Sequence, residues 1–114
     1  MHELGLIFEV INTIEDIVKE ENLTEVASIT LAVGEVSLVI PDYLRECWPA
    51  AVSQHPFFKD TELKLHIIPG EAKCKDCGTY FNVIATEGHC PKCNGFDKEI
   101  ISGKEFMIEE IEAC

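Results

Sequence analysis

The sequence predicts an α+β protein: two helices on a small, roughly three-stranded sheet, with an inserted four-cysteine zinc-ribbon module. Three observations carry this. Two stretches repeat apolar residues at spacings of three and four, and others alternate with a period of two. Two Cys-x-x-Cys pairs interrupt the second half of the 114-residue chain.

Residues 4 to 18 read as an amphipathic helix, with Leu4, Ile7, Ile11, Ile14 and Val18 on one stripe and Glu9, Asn12, Glu15, Asp16 and Lys19 on the wet side. Residue 2 therefore falls before the helix. Glu20-Glu21-Asn22 ends it, and residues 26 to 33 alternate as a strand with one face on the helix. Gly34-Glu35-Val36-Ser37 closes that strand, and Pro41 suits a helix's first turn. Leu44, Cys47, Trp48, Ala51 and Val52 form the second stripe, which Pro49 should kink or stop early. A strand at 62 to 69 places Leu63, Leu65 and Ile67 opposite Lys64, His66 and Ile68. The tail from 100 to 111 reads as one more strand. The expected division is a main α+β domain, residues 1–70 plus 98–114, and a zinc-ribbon domain at 71–97.

Cys74-Lys75-Asp76-Cys77-Gly78 and Cys90-Pro91-Lys92-Cys93-Asn94-Gly95 each let a tight turn aim two sulfurs inward. A glycine beyond each pair should relieve the turn's strain. Four thiolates in tetrahedral array suit Zn(II), whose filled d shell accepts soft donors. The shell is closed, which predicts a scaffold and not a reaction centre. Iron of the rubredoxin kind and a pair of disulfides are the other occupants of such a pattern. The module should lack an apolar core of its own, so the metal would fold it. Cys47 falls on an apolar helical position, and Cys114 is the last residue.

The formal charge is −12, and four thiolates around Zn(II) would lower it by two more. Such a chain is repelled by phosphate backbones, which disfavours nucleic acid and favours a basic protein partner. No stretch is apolar enough to cross a bilayer, and Met1-His2-Glu3 lacks the basic start of a signal peptide. A reducing cytoplasm is the expected location, with no membrane association.

The amino terminus offers a second metal chemistry. On composition alone His2 is a frayed, solvated residue. A histidine at position two can also present its imidazole, its amide nitrogen and the terminal amine to one ion in a plane. Ni(II) and Cu(II) prefer such donors. Glu3 adds a carboxylate and another amide. His89 abuts Cys90, close enough to lend a nitrogen to either metal, and better fits an outer role beside one; His66 and His55 carry no ligand expectation.

These features come in a telling order. Met1-His2-Glu3-Leu4 opens a helix, Val33-Gly34-Glu35-Val36-Ser37 ends a strand, and Pro41-Asp42-Tyr43-Leu44 starts the next helix. Leu63 to Ile67 lead to Cys74-x-x-Cys77-Gly78, Cys90-Pro91-x-Cys93 follows, and Gly103-Lys104-Glu105 precedes the last strand. Along essentially its whole length the chain resembles the HypA/HybF family of hydrogenase nickel-incorporation proteins. The resemblance implies a non-catalytic nickel metallochaperone serving the [NiFe] hydrogenase large subunit with a HypB-type GTPase. It implies His2 as the Ni(II) ligand, with the Met1 amine and the Glu3 backbone as co-donors. It implies Cys74, Cys77, Cys90 and Cys93 as ligands of a structural Zn(II). The chain departs from the family in Gly5, where serine is usual, and in Pro49. A rubredoxin-like electron carrier and a plain zinc-ribbon interaction module are the rival readings. An enzyme is disfavoured, because no nucleophile–base pair accompanies the closed metal shell.

Overall fold

In a computed structural model of the chain, α1 spans His2–Glu21, beginning two residues before the apolar stripe shows itself. Backbone is described from residue 2 and side chains from residue 3; Met1 and the His2 side chain lie outside the described residues. Ile7, Val10, Ile11 and Ile14 are buried on α1. The helix ends on Asn22 at φ 53°, with the Leu23 N–H donating to the Val18 carbonyl at 3.0 Å. This pairing satisfies a carbonyl that the helix leaves free.

Strand β1 (Val26–Gly34) lies between β2 (Glu62–Ile68) and β6 (Phe106–Ala113). The Cys114 N–H donates to Glu25 O and the Gly34 N–H to Glu105 O, so β1 and β6 run antiparallel. Thr61 meets Val26 and Glu35 meets Ile68, so β1 and β2 run in the same sense. Parallel neighbours need a crossover. Helix α2 (Pro41–Val52) supplies it, packed on α1 and burying Leu44, Cys47, Trp48 and Ala51. Pro49 lies in its last turn, and the helix ends three residues later, at Val52.

Two expectations change here. The face of β1 expected to be wet buries Ser28, 3% exposed. Its hydroxyl donates to Glu112 Oε1 at 2.5 Å, which also accepts from Lys64 Nζ at 2.9 Å. Long side chains from the two edge strands thus close over the central one. A 3₁₀ turn at Pro56–Phe58, unannounced by any periodicity, buries Phe58 completely. Beside it Thr61 donates its hydroxyl to Val26 O at 2.7 Å, while its carbonyl accepts the Trp48 indole N–H at 3.2 Å.

A second sheet joins β3 (Glu71–Cys74), β4 (Tyr80–Asn82) and β5 (Lys98–Ile100) in antiparallel pairs, ordered β4-β3-β5. The expected single strand at 100–111 is two strands. β5 stops at Ile100 and β6 starts at Phe106, because Gly103 between them turns the chain at φ 99°. The turn also brings the Gly103 carbonyl where a side chain on Gly34 would stand: an added Cβ there would lie 1.9 Å from that oxygen.

The chain forms two compact units: residues up to Leu31 with Ile40–His66 and Met107–Cys114, and Ala32–Val39 with Ile67–Phe106. The second has an apolar core where none was expected. Ala72, Cys74, Phe81, Val83 and Cys90 are buried together, with Val36 and Ile100 packed against them. Two of its members are cysteines, so the pattern of hydrophobes alone understates it. Charge divides unevenly: the first unit holds fourteen acidic and four basic residues, the second seven and five.

Candidate metal centre

Both cysteine pairs are built on one hydrogen-bond pattern. The Gly78 N–H donates to Cys74 O at 2.9 Å, and the Cys74 N–H donates to Thr79 O at 2.8 Å. The second pair repeats this in the same register, Asn94 N–H to Cys90 O and Cys90 N–H to Gly95 O, each at 2.8 Å. Positions four residues after the first cysteine therefore correspond, and both are left-handed: Gly78 at φ 78° and Asn94 at φ 61°. The expectation of a strain-relieving glycine holds at Gly78. In the second turn Asn94 takes that conformation, which its short polar side chain tolerates. Gly95 is small for another reason: an added Cβ would meet Asp76 Oδ2 at 2.7 Å and Cys93 Sγ at 3.2 Å.

β3 delivers Cys74, and the turns after β4 deliver Cys90; both are buried, whereas Cys77 and Cys93 are exposed. Their four sulfurs lie within 4.8 Å of one another. Cys74–Cys93 and Cys77–Cys90 sulfur distances are each 3.5 Å. A disulfide needs about 2.05 Å, so all four are free thiols. A tetrahedral ion with metal–sulfur bonds of about 2.3 Å sets sulfurs roughly 3.8 Å apart. The arrangement fits such an ion.

Electrostatics agree. The Thr79 side chain and backbone, hydrogen-bonded to the Cys77 sulfur, lower its pKa to about 6. At Cys93 the Gly95 N–H pulls down. The neighbouring thiols of Cys74 and Cys77 with desolvation outweigh it, pushing that thiol up to about 12. Without a cation the cluster cannot carry four negative charges, and a divalent ion removes the obstacle.

Among the described residues, these four cysteines are the His, Cys, Asp and Glu side chains close enough to share an ion. His89 stays outside the cluster, its ring tilted against Phe96 with centroids 5.3 Å apart. His66 Nδ1 pairs with Glu109 at 2.8 Å, and His55 Nδ1 lies 3.5 Å from Glu15. Cys47 is buried at 4% exposure, as its helical position indicates. Glu3 is 7% exposed. That burial was not legible in the sequence, where Glu3 reads as a carboxylate beside His2 ahead of the helix.

Fold and site define the class: a small α+β metal-binding protein with a closed four-thiolate centre. The sequence matches the family described as "Hydrogenase/urease nickel incorporation, metallochaperone, hypA" over residues 1–113, and the chain belongs to that family. It is a family of metallochaperones, not of enzymes. The hydrogenase maturation factor HypA of Dehalococcoides mccartyi (strain ATCC BAA-2266 / KCTC 15142 / 195) is 36% identical over 112 residues, covering 98% of this chain and 93% of the relative. HypA of Rhodopseudomonas palustris (strain TIE-1) is 31% identical, covering 98% of each. Two solution structures share the fold. The Ni metallochaperone HypA from Helicobacter pylori has a TM-score of 0.66 at 22% identity, covering 97% of this chain and 96% of that one. Another HypA protein has 0.69 at 23% identity, covering 100% and 97%.

Proposed function

We propose that this protein carries Ni(II) and delivers it to the large subunit of [NiFe] hydrogenase during maturation, partnered by a HypB-type GTPase. The observation that carries the reading is the whole-chain match to nickel-incorporation metallochaperones. The curated relatives named for hydrogenase maturation favour hydrogenase as the destination. The closed sulfur shell supports a division of labour between two metals. An ion held by four thiolates has no open position from which to be handed on. Cys74, Cys77, Cys90 and Cys93 would hold Zn(II), which fixes the two turns together.

The cargo ion then needs other donors, and the amino terminus has them. α1 begins at His2, and the first amides of a helix have no partner within it. The His2 and Glu3 amides can therefore be given to an ion without unwinding a turn. His2 is the principal ligand, with the Met1 amine and the Glu3 backbone as co-donors. With Glu3 buried, its amide is a better placed donor than its carboxylate. In this reading the nickel-binding domain is residues 1–70 plus 98–114 and the zinc ribbon 71–97, the compact unit that holds the ribbon being the wider Ala32–Val39 with Ile67–Phe106. No helix among the described residues is long and apolar enough to cross a membrane, and free thiols suit a reducing cytoplasm.

The test is nickel titration of untagged protein beside His2→Ala, with zinc content measured in both. The expected result is loss of specific nickel binding with zinc retained. Wild-type nickel affinity in His2→Ala would overturn the assignment.

A further inference from the structure

One carboxylate oxygen in the second unit sits where both limbs of the metal centre begin. Glu35 Oε1 accepts the Gly70 N–H at 2.7 Å and the Asn82 side-chain amide at 3.0 Å. Gly70 immediately precedes β3, which ends on Cys74. Asn82 ends β4 and starts the limb to the second cysteine pair. The amide held by Glu35 fixes that limb. With its nitrogen turned to Glu35, its Oδ1 accepts the N–H groups of Ile84 and Ala85, both at 3.0 Å. The Asn82 carbonyl accepts from Thr86 Oγ1 at 3.2 Å. The path continues through His89 N–H to Thr86 O and reaches Cys90 in the next residue. Val83, between these bonds, is buried beside Cys90 and donates its N–H to Gly70 O at 2.9 Å.

We infer that Glu35 is a positioning residue of the metal centre: it touches no sulfur, but by bridging Gly70 and Asn82 it sets the spacing at which the two cysteine pairs meet one ion. Two amide donors on one carboxylate oxygen form charge-assisted hydrogen bonds, which are short and directional. They hold the carboxyl of Glu35 below its ordinary value, the Gly70 N–H foremost and then Asn82. Outer partners of this kind typically change metal affinity by about 10- to 100-fold.

The test uses cobalt(II) alone as the probe, since its visible spectrum reports four-sulfur tetrahedral coordination, with affinity from competition against a chelator. Glu35→Ala and Asn82→Ala are each expected to weaken cobalt about tenfold or more, and the double variant little further, because both cut one path. Glu35→Gln keeps an acceptor oxygen and should stay within a few fold of wild type. Asn82→Asp sets carboxylate against carboxylate and should be the weakest binder. Adding Glu35→Gln to it should restore affinity, because the new amide can donate to Asp. Glu99→Ala, at the exposed position of β5, is the control. A residue that merely stapled the unit would lower the unfolding temperature and leave cobalt affinity and spectrum unchanged, and that result overturns the inference. So does a double variant whose losses simply add, or failure of Glu35→Gln to rescue Asn82→Asp. None of these readings involves nickel or His2, so they stand or fall apart from the proposed delivery role.

Discussion

Gly78→Ala isolates the cost of one turn. Gly78 sits at φ 78°, and an added Cβ would meet nothing within 4 Å. No clash contributes, so the penalty is that of placing an L side chain in the left-handed region, about 1–2 kcal/mol. The turn's own bonds, Gly78 N–H to Cys74 O and Cys74 N–H to Thr79 O, leave it no alternative conformation. Where metal binding and ordering of the turn are coupled, the penalty appears in affinity. At 1.4 kcal/mol per factor of ten, zinc should bind about 5- to 30-fold more weakly. Asn94→Gly is the counterpart, since Asn94 holds the same position at φ 61°. It should bind as well as wild type or slightly better, and Asn94→Ala worse. Chelator competition with zinc, supported by cobalt spectra, measures all three. Gly78→Ala within twofold of wild type, or Asn94→Gly weaker than Asn94→Ala, would refute the equivalence of the two turns.

Three further outcomes are expected. Cys74→Ser should release zinc and loosen Ile67–Phe106, because Cys74 is both a proposed ligand and a core residue, while the α1 and α2 amides keep their exchange protection; one-step loss of all protection would contradict this. An amino-terminal tag should weaken nickel binding or change its spectrum, since it removes the Met1 amine, whereas a tag after Cys114 should not; identical nickel spectra would exclude the amine. Thr61→Val, isosteric at a buried site, leaves Val26 O without its 2.7 Å donor and should cost about 1–3 kcal/mol in chemical denaturation.

Acid adds a signed expectation. The Ser28 hydroxyl, then Lys64, hold Glu112 below its ordinary value of 4.5, and Gly70 and Asn82 do so for Glu35. A depressed folded pKa means that the unfolded chain takes up protons first as pH falls. The stabilisation is complete above the unfolded value and lost as pH drops through the lower folded ones. Denaturation midpoints should therefore be flat near neutrality and fall below about pH 4.5. Glu112→Gln should flatten the acid limb.

Legibility followed the physics of each element. The stripes of α1 and α2 stood out because their buried residues are aliphatic or aromatic at helical spacing, and the sulfurs because metal ligands recur at fixed short spacing. Ser28 did not, because only the fold reveals that Lys64 and Glu112 close over it. The break at Gly103 did not show in the pattern of hydrophobes, because Ile100 and Ile101 before it and Phe106 and Ile108 after it all suit a strand; only the resemblance set Gly103-Lys104-Glu105 ahead of the last strand. Asn94 was passed over for Gly95 because glycine is the usual signature of a left-handed turn. Glu35 read as part of a strand end, since its two partners lie 35 and 47 residues away.

The edges of the first sheet bear on the fate of the protein at high concentration. β2 and β6 each expose one rim to which another copy's strand could bond. β6 carries Glu109, Glu110 and Glu112 within four positions, so two rims approaching side by side bring like charges together. Strand-to-strand pairing through β6 is thereby opposed by charge. Crowding should therefore bring two copies against like charge along this edge before their strands can pair, which favours dispersed copies over fibres.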